Sequence, residues 1–221
     1  MTSLFRVRIS LPTRGGVACN ASLVLSDLAL LFLSQGYDTG LDARKIDGES
    51  VIAILTAINQ EAVVAGGPKK MHAMVEAGTF DGGNGAAGGE MLKARITAEG
   101  ILPGAFRAAV GERTAARVEK MWGELEGYVG LFTSQAGELV VGGVQLGNVW
   151  IGIQPLLGIE GDPMRLLFER DLTPHPQYVA FYDWMRNSFK AQAVVHFGTH
   201  GTAEWLPGSP LGNTATTWPD M

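Results

Sequence analysis

The sequence has little of what would assign it to several large classes of protein. Cys19 is the single cysteine, so no intramolecular disulfide can form and a reducing compartment is expected. The 17 basic residues form no long run, whereas nucleic-acid binding normally requires a positive patch. Met1–Ser10 lacks the apolar core of a signal peptide, and Ala21–Leu33 is short for a membrane span and is interrupted by Asp27. We therefore predict a cytoplasmic protein that binds no nucleic acid and has no integral membrane segment.

The sequence also lacks a convincing nucleotide-binding motif. Gly67–Lys70 has neither the glycine spacing nor the Ser/Thr of a P-loop. Gly83, Gly85 and Gly88 fit the G-x-G-x-x-G spacing, but Met71–Gly78 before them looks helical or irregular and not like a buried strand. We therefore interpret residues 81–90 as a Gly-rich loop. The alternative is the phosphate cradle of a dinucleotide-dependent redox enzyme.

The sequence does contain enough apolar residues for a core, at 46%, and its 30 glycines indicate several loops. Apolar spacing predicts strands alternating with helices, which is an α/β fold. The predicted strands are Leu4–Ile9, two strands within Leu139–Ile153 around Gly147–Asn148, and Ala193–Phe197; the predicted helices are Asn20–Gln35, Ser50–Asn59, Met91–Glu126 with breaks at Gly100 and Pro103–Gly104, and Pro174–Phe189 with Tyr178, Phe181, Tyr182 and Met185 on one side. Residues 1–80 are expected to form an N-terminal α/β segment, ahead of the loop 81–90 and a further segment 91–221.

The densest group of chemically capable side chains is His196, His200 and Glu204, at the end of the predicted strand Ala193–Phe197. Ligands of α/β folds gather at the carboxyl ends of strands, where loops shape a crevice. The H-E-x-x-H order of a helical zinc site is missing, so a permanent zinc site is disfavoured. The alternatives are structural roles. The two histidines would hold a tight loop by hydrogen bonds, and the Glu204 carboxylate would lie in the first turn of a helix, where the helix dipole favours it.

A second group follows the predicted strands near residue 153 and includes Gln154, Asp162 and Arg165. Arg165 could clamp a substrate carboxylate, since its guanidinium matches carboxylate geometry. Alternatively, Asp162 caps a helix that Pro163 begins. His175, between two prolines, is interpreted as a solvated loop residue.

Two long strings in this region resemble a known family. Gly147–Phe168 and His175–Gly208 are similar to the signature blocks of magnesium-chelatase H subunits and of the large subunit of cobaltochelatase, and the strongest part is Val194–Gly201 followed by Glu204–Gly208. Gly36–Asp38 resembles an upstream block of the same family. The segment 91–221 is accordingly interpreted as a chelatase signature segment. The chain stops just after the second block, so we expect a fragment of a large multidomain subunit that is inactive when isolated.

The resemblance implies ATP-dependent insertion of Mg²⁺ into protoporphyrin IX in (bacterio)chlorophyll biosynthesis, with ATP hydrolysed by AAA+ partner subunits of the I and D type. It implies catalytic roles for His196, His200 and Glu204, the last also as a transient metal ligand. The residues expected to bind substrate are Gln154, Asp162, Arg165 and Trp205. The alternatives are a cobaltochelatase acting on a corrin precursor and a non-enzymatic porphyrin-binding or sensor protein. The location could then also be plastid stroma or a membrane surface.

Overall fold

The structure is a computed structural model. It describes Val51, Ile54, Leu55, Ala57 and Ile58 together with residues 66–80, 95–128, 133–155, 172–195 and 217–218. The predicted strand Leu4–Ile9, the predicted helix Asn20–Gln35 and the predicted loop 81–90 lie outside the described residues. They stay predictions, as does the division of the chain at residues 81–90.

The described residues combine helices with one antiparallel sheet, so the predicted mixture of α and β structure is confirmed. In chain order the elements are α1 (Pro68–Glu76), β1 (Ile96–Ile101), α2 (Pro103–Val110), α3 (Glu112–Trp122), a 3-10 turn (Leu125–Gly127), β2 (Leu139–Leu146), β3 (Val149–Gly152), α4 (Pro176–Asp183) and a π-helix (Trp184–Ser188). The five described residues between 51 and 58 are also helical, as predicted for Ser50–Asn59. None of the helices in the described part of the chain is long and apolar enough to cross a membrane.

The sheet has the order β1-β2-β3, and both strand pairs are antiparallel. Gly147 has φ 57 in the turn Gly147–Asn148 between β2 and β3. Glycine adopts such a φ without steric cost, and two-residue hairpin turns use it at their first central position. The two strands predicted within Leu139–Ile153 around Gly147–Asn148 are confirmed, and they pair as a hairpin.

Side chains alternate between the two faces of this sheet, as a strand period of two requires. One face packs against α1 and the helical residues near position 54; it carries Ile96, Ala98, Val140, Val144, Leu146, Val149 and Ile151. The opposite face carries Val141 and Trp150, which pack against Phe181, Trp184, Met185 and Phe189 of α4, the π-helix and the residue after it. The sheet therefore separates two layers of helices, and α4 lies on the face opposite to α1.

The indole of Trp150 is the largest group between the sheet and α4, and it is 1% exposed. It lies over Gly143 and Gly152, which are paired across β2 and β3, and its Nε1 donates to Thr97 Oγ1 at 2.8 Å. A Cβ built on either glycine would lie under 3.0 Å from the indole. Glycine at both positions is what allows the ring to lie flat against the sheet.

A third core cluster joins α2, α3 and α4 at the end of the sheet. Its buried members are Phe106, Ala115, Val118, Leu125, Leu139, Tyr178, Ala180 and Trp218. Trp218 also stacks under Arg117 of α3, with 4.6 Å from the guanidinium carbon to the ring centroid. Trp218 therefore packs against both α3 and α4, although it lies some distance from them in the sequence.

Two of the predicted elements are wrong in the described part of the chain. The pattern of Met91–Glu126 predicts a helix with breaks, but Ile96–Ile101 forms strand β1, because its backbone pairs with Leu139–Val144 of β2. Pro103 begins helix α2 and does not merely break one, since proline suits the first helical position. Ala193–Val195, part of the predicted strand Ala193–Phe197, has no strand conformation, and Val194 and Val195 are 39% and 41% exposed.

Candidate functional site

Of the residues that the sequence suggests for a site, the structure describes Gln154. Six others lie outside the described residues: Asp162, Arg165, His196, His200, Glu204 and Trp205. Their roles stay predictions. The geometry of the site is therefore built from Gln154 and from the described residues that border the two stretches 156–171 and 196–216, called here the first and second site segments.

Gln154 lies two residues beyond the end of β3, just before the first site segment. Its Nε2 donates to Tyr178 Oη at 3.1 Å, and the Tyr178 hydroxyl donates to Tyr182 Oη at 3.3 Å. Tyr178 is 2% exposed, whereas Gln154 and Tyr182 are half-buried. A buried tyrosine hydroxyl needs hydrogen-bond partners, and here the side chains of Gln154 and Tyr182 supply them. Gln154 is therefore held to α4 by a chain of polar groups.

Helical spacing explains how the two tyrosines meet. Residues four apart in a helix lie on the same face, and the rings of Tyr178 and Tyr182 are 4.7 Å apart between centroids with a 38° interplanar angle. Phe181 contacts the Tyr182 ring edge-on at 5.7 Å. The prediction that Tyr178, Phe181 and Tyr182 lie on one side of a helix is confirmed in these contacts. The hydrogen bonds that link Gln154, Tyr178 and Tyr182 were not predicted. The i, i+4 spacing of the two tyrosines was the signal in the sequence that could have indicated the bond between them.

His175 is buried, at 7% exposure, and the interpretation of it as a solvated loop residue is wrong. It occupies the N-cap position of α4, where its Nδ1 accepts the backbone N–H of Tyr178 at 3.3 Å. The ring of Trp122 contacts it edge-on at 6.1 Å between centroids. Pro176 at the first helical position was the signal in the sequence, because such a proline places the preceding residue at the N-cap.

The structure describes the residues that border the two site segments. Gln154 and Pro155 precede the first segment, and Leu172, which is 2% exposed, follows it three residues before the N-cap of α4. The second segment begins after Val195, beyond the π-helix that continues α4. Thr217 follows it, is 3% exposed and adjoins Trp218, which lies in the same core cluster as Tyr178. Of the residues next to the two segments, Gln154 and Trp218 thus pack with Tyr178 of α4.

The clearest pKa shifts among the described residues belong to side chains outside α4. The guanidinium of Arg107 hydrogen-bonds Glu126 and Glu119, which lowers the pKa of Glu126 to about 2 and also lowers the pKa of Glu119. Burial raises the pKa of Tyr128 to about 12. Among the residues that the structure describes, no three His, Cys, Asp or Glu side chains form a group that could hold a metal ion.

Comparison with known proteins decides the family. The family model described as CobN/magnesium chelatase matches residues 35–221, which includes both site segments and all the described residues. The chain belongs to the CobN/magnesium chelatase family. The match begins well before the two signature blocks, near the upstream Gly36–Asp38 that resembles a family block.

Individual members of the family are similar to different parts of the chain. The magnesium-chelatase H subunit of Cereibacter sphaeroides is 35% identical over 174 residues, which are 78% of this chain and 14% of that protein. The corresponding protein of Chlorobaculum parvum is 47% identical over 104 residues, 47% of this chain and 8% of that protein. The aerobic cobaltochelatase protein CobN of Pseudomonas aeruginosa is 39% identical over 113 residues, 51% of this chain and 9% of that protein. The chain thus spans a small fraction of the length of these relatives.

A solved structure supports the fold. The catalytic subunit of cobaltochelatase from Mycobacterium tuberculosis aligns with 98% of this chain and 17% of its own length, with a TM-score of 0.59 and 26% sequence identity. The mixed helices and antiparallel sheet described above are therefore the architecture of a chelatase subunit in this family.

Proposed function

We propose that this chain is part of the tetrapyrrole-binding subunit of a magnesium chelatase, which inserts Mg²⁺ into protoporphyrin IX while AAA+ partner subunits of the I and D type hydrolyse ATP. The observation that carries the proposal is the family match over residues 35–221. The similarity to magnesium-chelatase H subunits, 35% identity over 174 residues in one and 47% over 104 in another, supports magnesium as the metal. Gln154 and Trp218, which both pack with Tyr178 of α4, would hold one end of each site segment at the same helix.

The reaction itself explains why these residue types would be needed. Insertion removes two pyrrole N–H protons from the macrocycle and delivers a cation without its water. Magnesium dehydrates reluctantly and prefers oxygen ligands. Glu204 would accept a proton or briefly ligate the entering metal through its oxygens, and His196 and His200 would act as general bases or orient the macrocycle.

Substrate binding is assigned to a separate set of side chains. Arg165 would pair with a peripheral carboxylate of the tetrapyrrole, because a guanidinium binds carboxylates through two parallel hydrogen bonds. The ring of Trp205 would contact the macrocycle. Gln154, with Asp162 further along the first site segment, would supply polar contacts at its edge.

The role of Glu204 is tested in the native full-length protein, assayed with its ATPase subunits, ATP, Mg²⁺ and protoporphyrin IX. Glu204→Ala should reduce insertion by at least about a hundredfold, the usual size of a general acid–base contribution. Tetrapyrrole affinity, measured by quenching of tryptophan fluorescence, should change by less than about twofold, since Glu204 is assigned to chemistry and not to binding. Glu76→Ala, which removes an exposed carboxylate of α1, is the matched control and should leave both values unchanged. Insertion at the unmodified rate by Glu204→Ala would remove this residue from the mechanism.

A cobaltochelatase is the second candidate, favoured by the similarity to CobN and to the cobaltochelatase structure. The two are separated by titrating the protein with protoporphyrin IX and with a hydrogenobyrinate-type corrin precursor. A magnesium chelatase should bind the porphyrin more tightly; preference for the corrin precursor would favour cobalt. A porphyrin-binding sensor, the non-enzymatic alternative, would bind but insert no metal when the ATPase subunits are added.

A further inference from the structure

The hydrogen bonds around Tyr178 fix a direction for each donor. A tyrosine hydroxyl has one hydrogen to donate and also accepts. An amide nitrogen can only donate, so toward Gln154 the Tyr178 hydroxyl is the acceptor and receives the amide hydrogen of Nε2 at 3.1 Å, which leaves its own hydrogen for Tyr182 Oη at 3.3 Å. The carboxamide of Gln154 is therefore held with its nitrogen toward α4.

This orientation leaves one amide N–H of Gln154 to point elsewhere. The side chain is half-buried, and Gln154 stands one residue before the buried Pro155, at the start of the first site segment. We propose that this second N–H binds a peripheral carboxylate of the tetrapyrrole, and that Tyr178 and Tyr182 are positioning residues that hold the amide in place for it. The inference rests on the proposed tetrapyrrole-binding function.

The packing of the two tyrosines suits them to that role. Tyr178 is 2% exposed and belongs to the same buried cluster as Trp218, which follows the second site segment. The Tyr182 ring lies 4.7 Å from that of Tyr178 and 5.7 Å from Phe181. Rings packed in this way have little freedom to move, so their hydroxyls form a rigid support. Polar groups that fix a ligand's orientation are commonly held by such a supporting layer.

The test uses protoporphyrin IX and its dimethyl ester, which differ in the charge of the peripheral carboxyl groups. Affinities for the native full-length protein and its variants are measured by quenching of tryptophan fluorescence. A hydrogen bond to a charged group is among the stronger ones, so Gln154→Ala should weaken binding of the free acid about tenfold. Binding of the ester should change by less than about twofold.

Tyr178→Phe and Tyr182→Phe remove one hydroxyl each and keep the rings. Tyr178→Phe should weaken binding of the free acid about threefold to tenfold and that of the ester much less, because it releases the amide without removing it. Tyr182→Phe should act in the same direction with a smaller effect. Thr79→Val removes an exposed hydroxyl next to Phe80, which belongs to the core cluster on the opposite face of the sheet, and is the matched control; it should change neither affinity.

Two outcomes would overturn the inference. If Gln154→Ala and Tyr178→Phe weaken the acid and the ester equally, or weaken neither, the hydroxyl chain serves the core alone, and the proposed function stands without it. If the unmodified protein binds neither compound, the proposed function fails and the inference fails with it. Circular dichroism and thermal unfolding of each variant identify any loss that comes from misfolding, and Tyr182→Phe provides the measurement should Tyr178→Phe not fold.

Discussion

Replacing Gly152 by alanine tests how the sheet and α4 fit together. The added Cβ would lie 2.9 Å from Trp150 Cζ2 and still closer to two other atoms of the same ring. The indole has little room to retreat, since it is 1% exposed and its centroid lies 5.1 Å from Trp184, 5.7 Å from Phe181 and 6.1 Å from Phe189. The substitution therefore forces either the ring or the strand to shift.

The expected cost follows from the contacts that would change. Overpacking a well-filled core costs about 1–3 kcal/mol, and displacing the indole also weakens its 2.8 Å hydrogen bond to Thr97 Oγ1, which contributes about 1 kcal/mol. Alanine restricts the unfolded chain more than glycine does, and this effect stabilises the folded state by about 0.4–1 kcal/mol. We expect Gly152→Ala to lower the free energy of unfolding by about 2 kcal/mol.

The assay is urea denaturation of the full chain, followed by tryptophan fluorescence. Gly104→Ala in α2 is the matched control, because its Cβ would meet nothing within 4 Å; it should raise the free energy of unfolding by roughly 0.5–1 kcal/mol. Trp150→Phe should relieve much of the clash, so that Gly152→Ala costs less in that background. If Gly152→Ala is as stable as the unmodified chain, the indole does not lie against Gly152 as described.

Two further predictions concern other parts of the described structure. Arg107 holds the pKa of Glu126 at about 2, against an ordinary value of 4.5, and also lowers that of Glu119; their stabilising effect is present above pH 4.5 and is lost as the pH falls toward 2. Arg107→Gln should therefore reduce the loss of stability between about pH 5 and about pH 3 in chemical denaturation, and an unchanged pH dependence would contradict the pairing. His175→Ala should lower the free energy of unfolding by about 1 kcal/mol through loss of the N-cap acceptor, whereas His175→Asn should retain most of it; equal losses in both variants would show that the imidazole matters for packing and not for capping.

The sequence predicted the elements whose apolar pattern is strong by itself. Leu139–Leu146 and Val149–Gly152 are short runs rich in β-branched residues and glycine on either side of a glycine turn, and the aromatic residues of Pro176–Asp183 recur at helical spacing. Both patterns lie within a short stretch of sequence, so they can be recognised without knowledge of tertiary contacts.

Strand β1 could not be found in this way. Its sequence, Ile96–Ile101, includes alanine, glutamate and glycine, which are depleted in strands. It becomes a strand because its backbone pairs with β2, from Ile96 opposite Val144 to Ile101 opposite Leu139. Pairing over some forty residues of intervening chain is not visible in a local pattern. The opposite error occurred at Ala193–Val195, where an apolar run forms no strand with any described residue.

The candidate site was predictable to a similar degree. The position of Gln154 after a strand and within a family-like block is visible in the sequence, whereas its hydrogen bond to Tyr178 depends on how β3 and α4 pack. His175 was misjudged because two flanking prolines suggested a loop, although the second proline begins a helix. Side chains that act through tertiary contacts leave little trace in a single sequence.

An experimental structure of the full-length protein with protoporphyrin IX bound would test the central claim most directly. We predict that the macrocycle lies against the first and second site segments beside α4, with Glu204 facing its pyrrole nitrogens and the Gln154 amide within hydrogen-bonding distance of a peripheral carboxylate. A macrocycle bound at a surface remote from α4, with neither side chain in contact, would contradict the account.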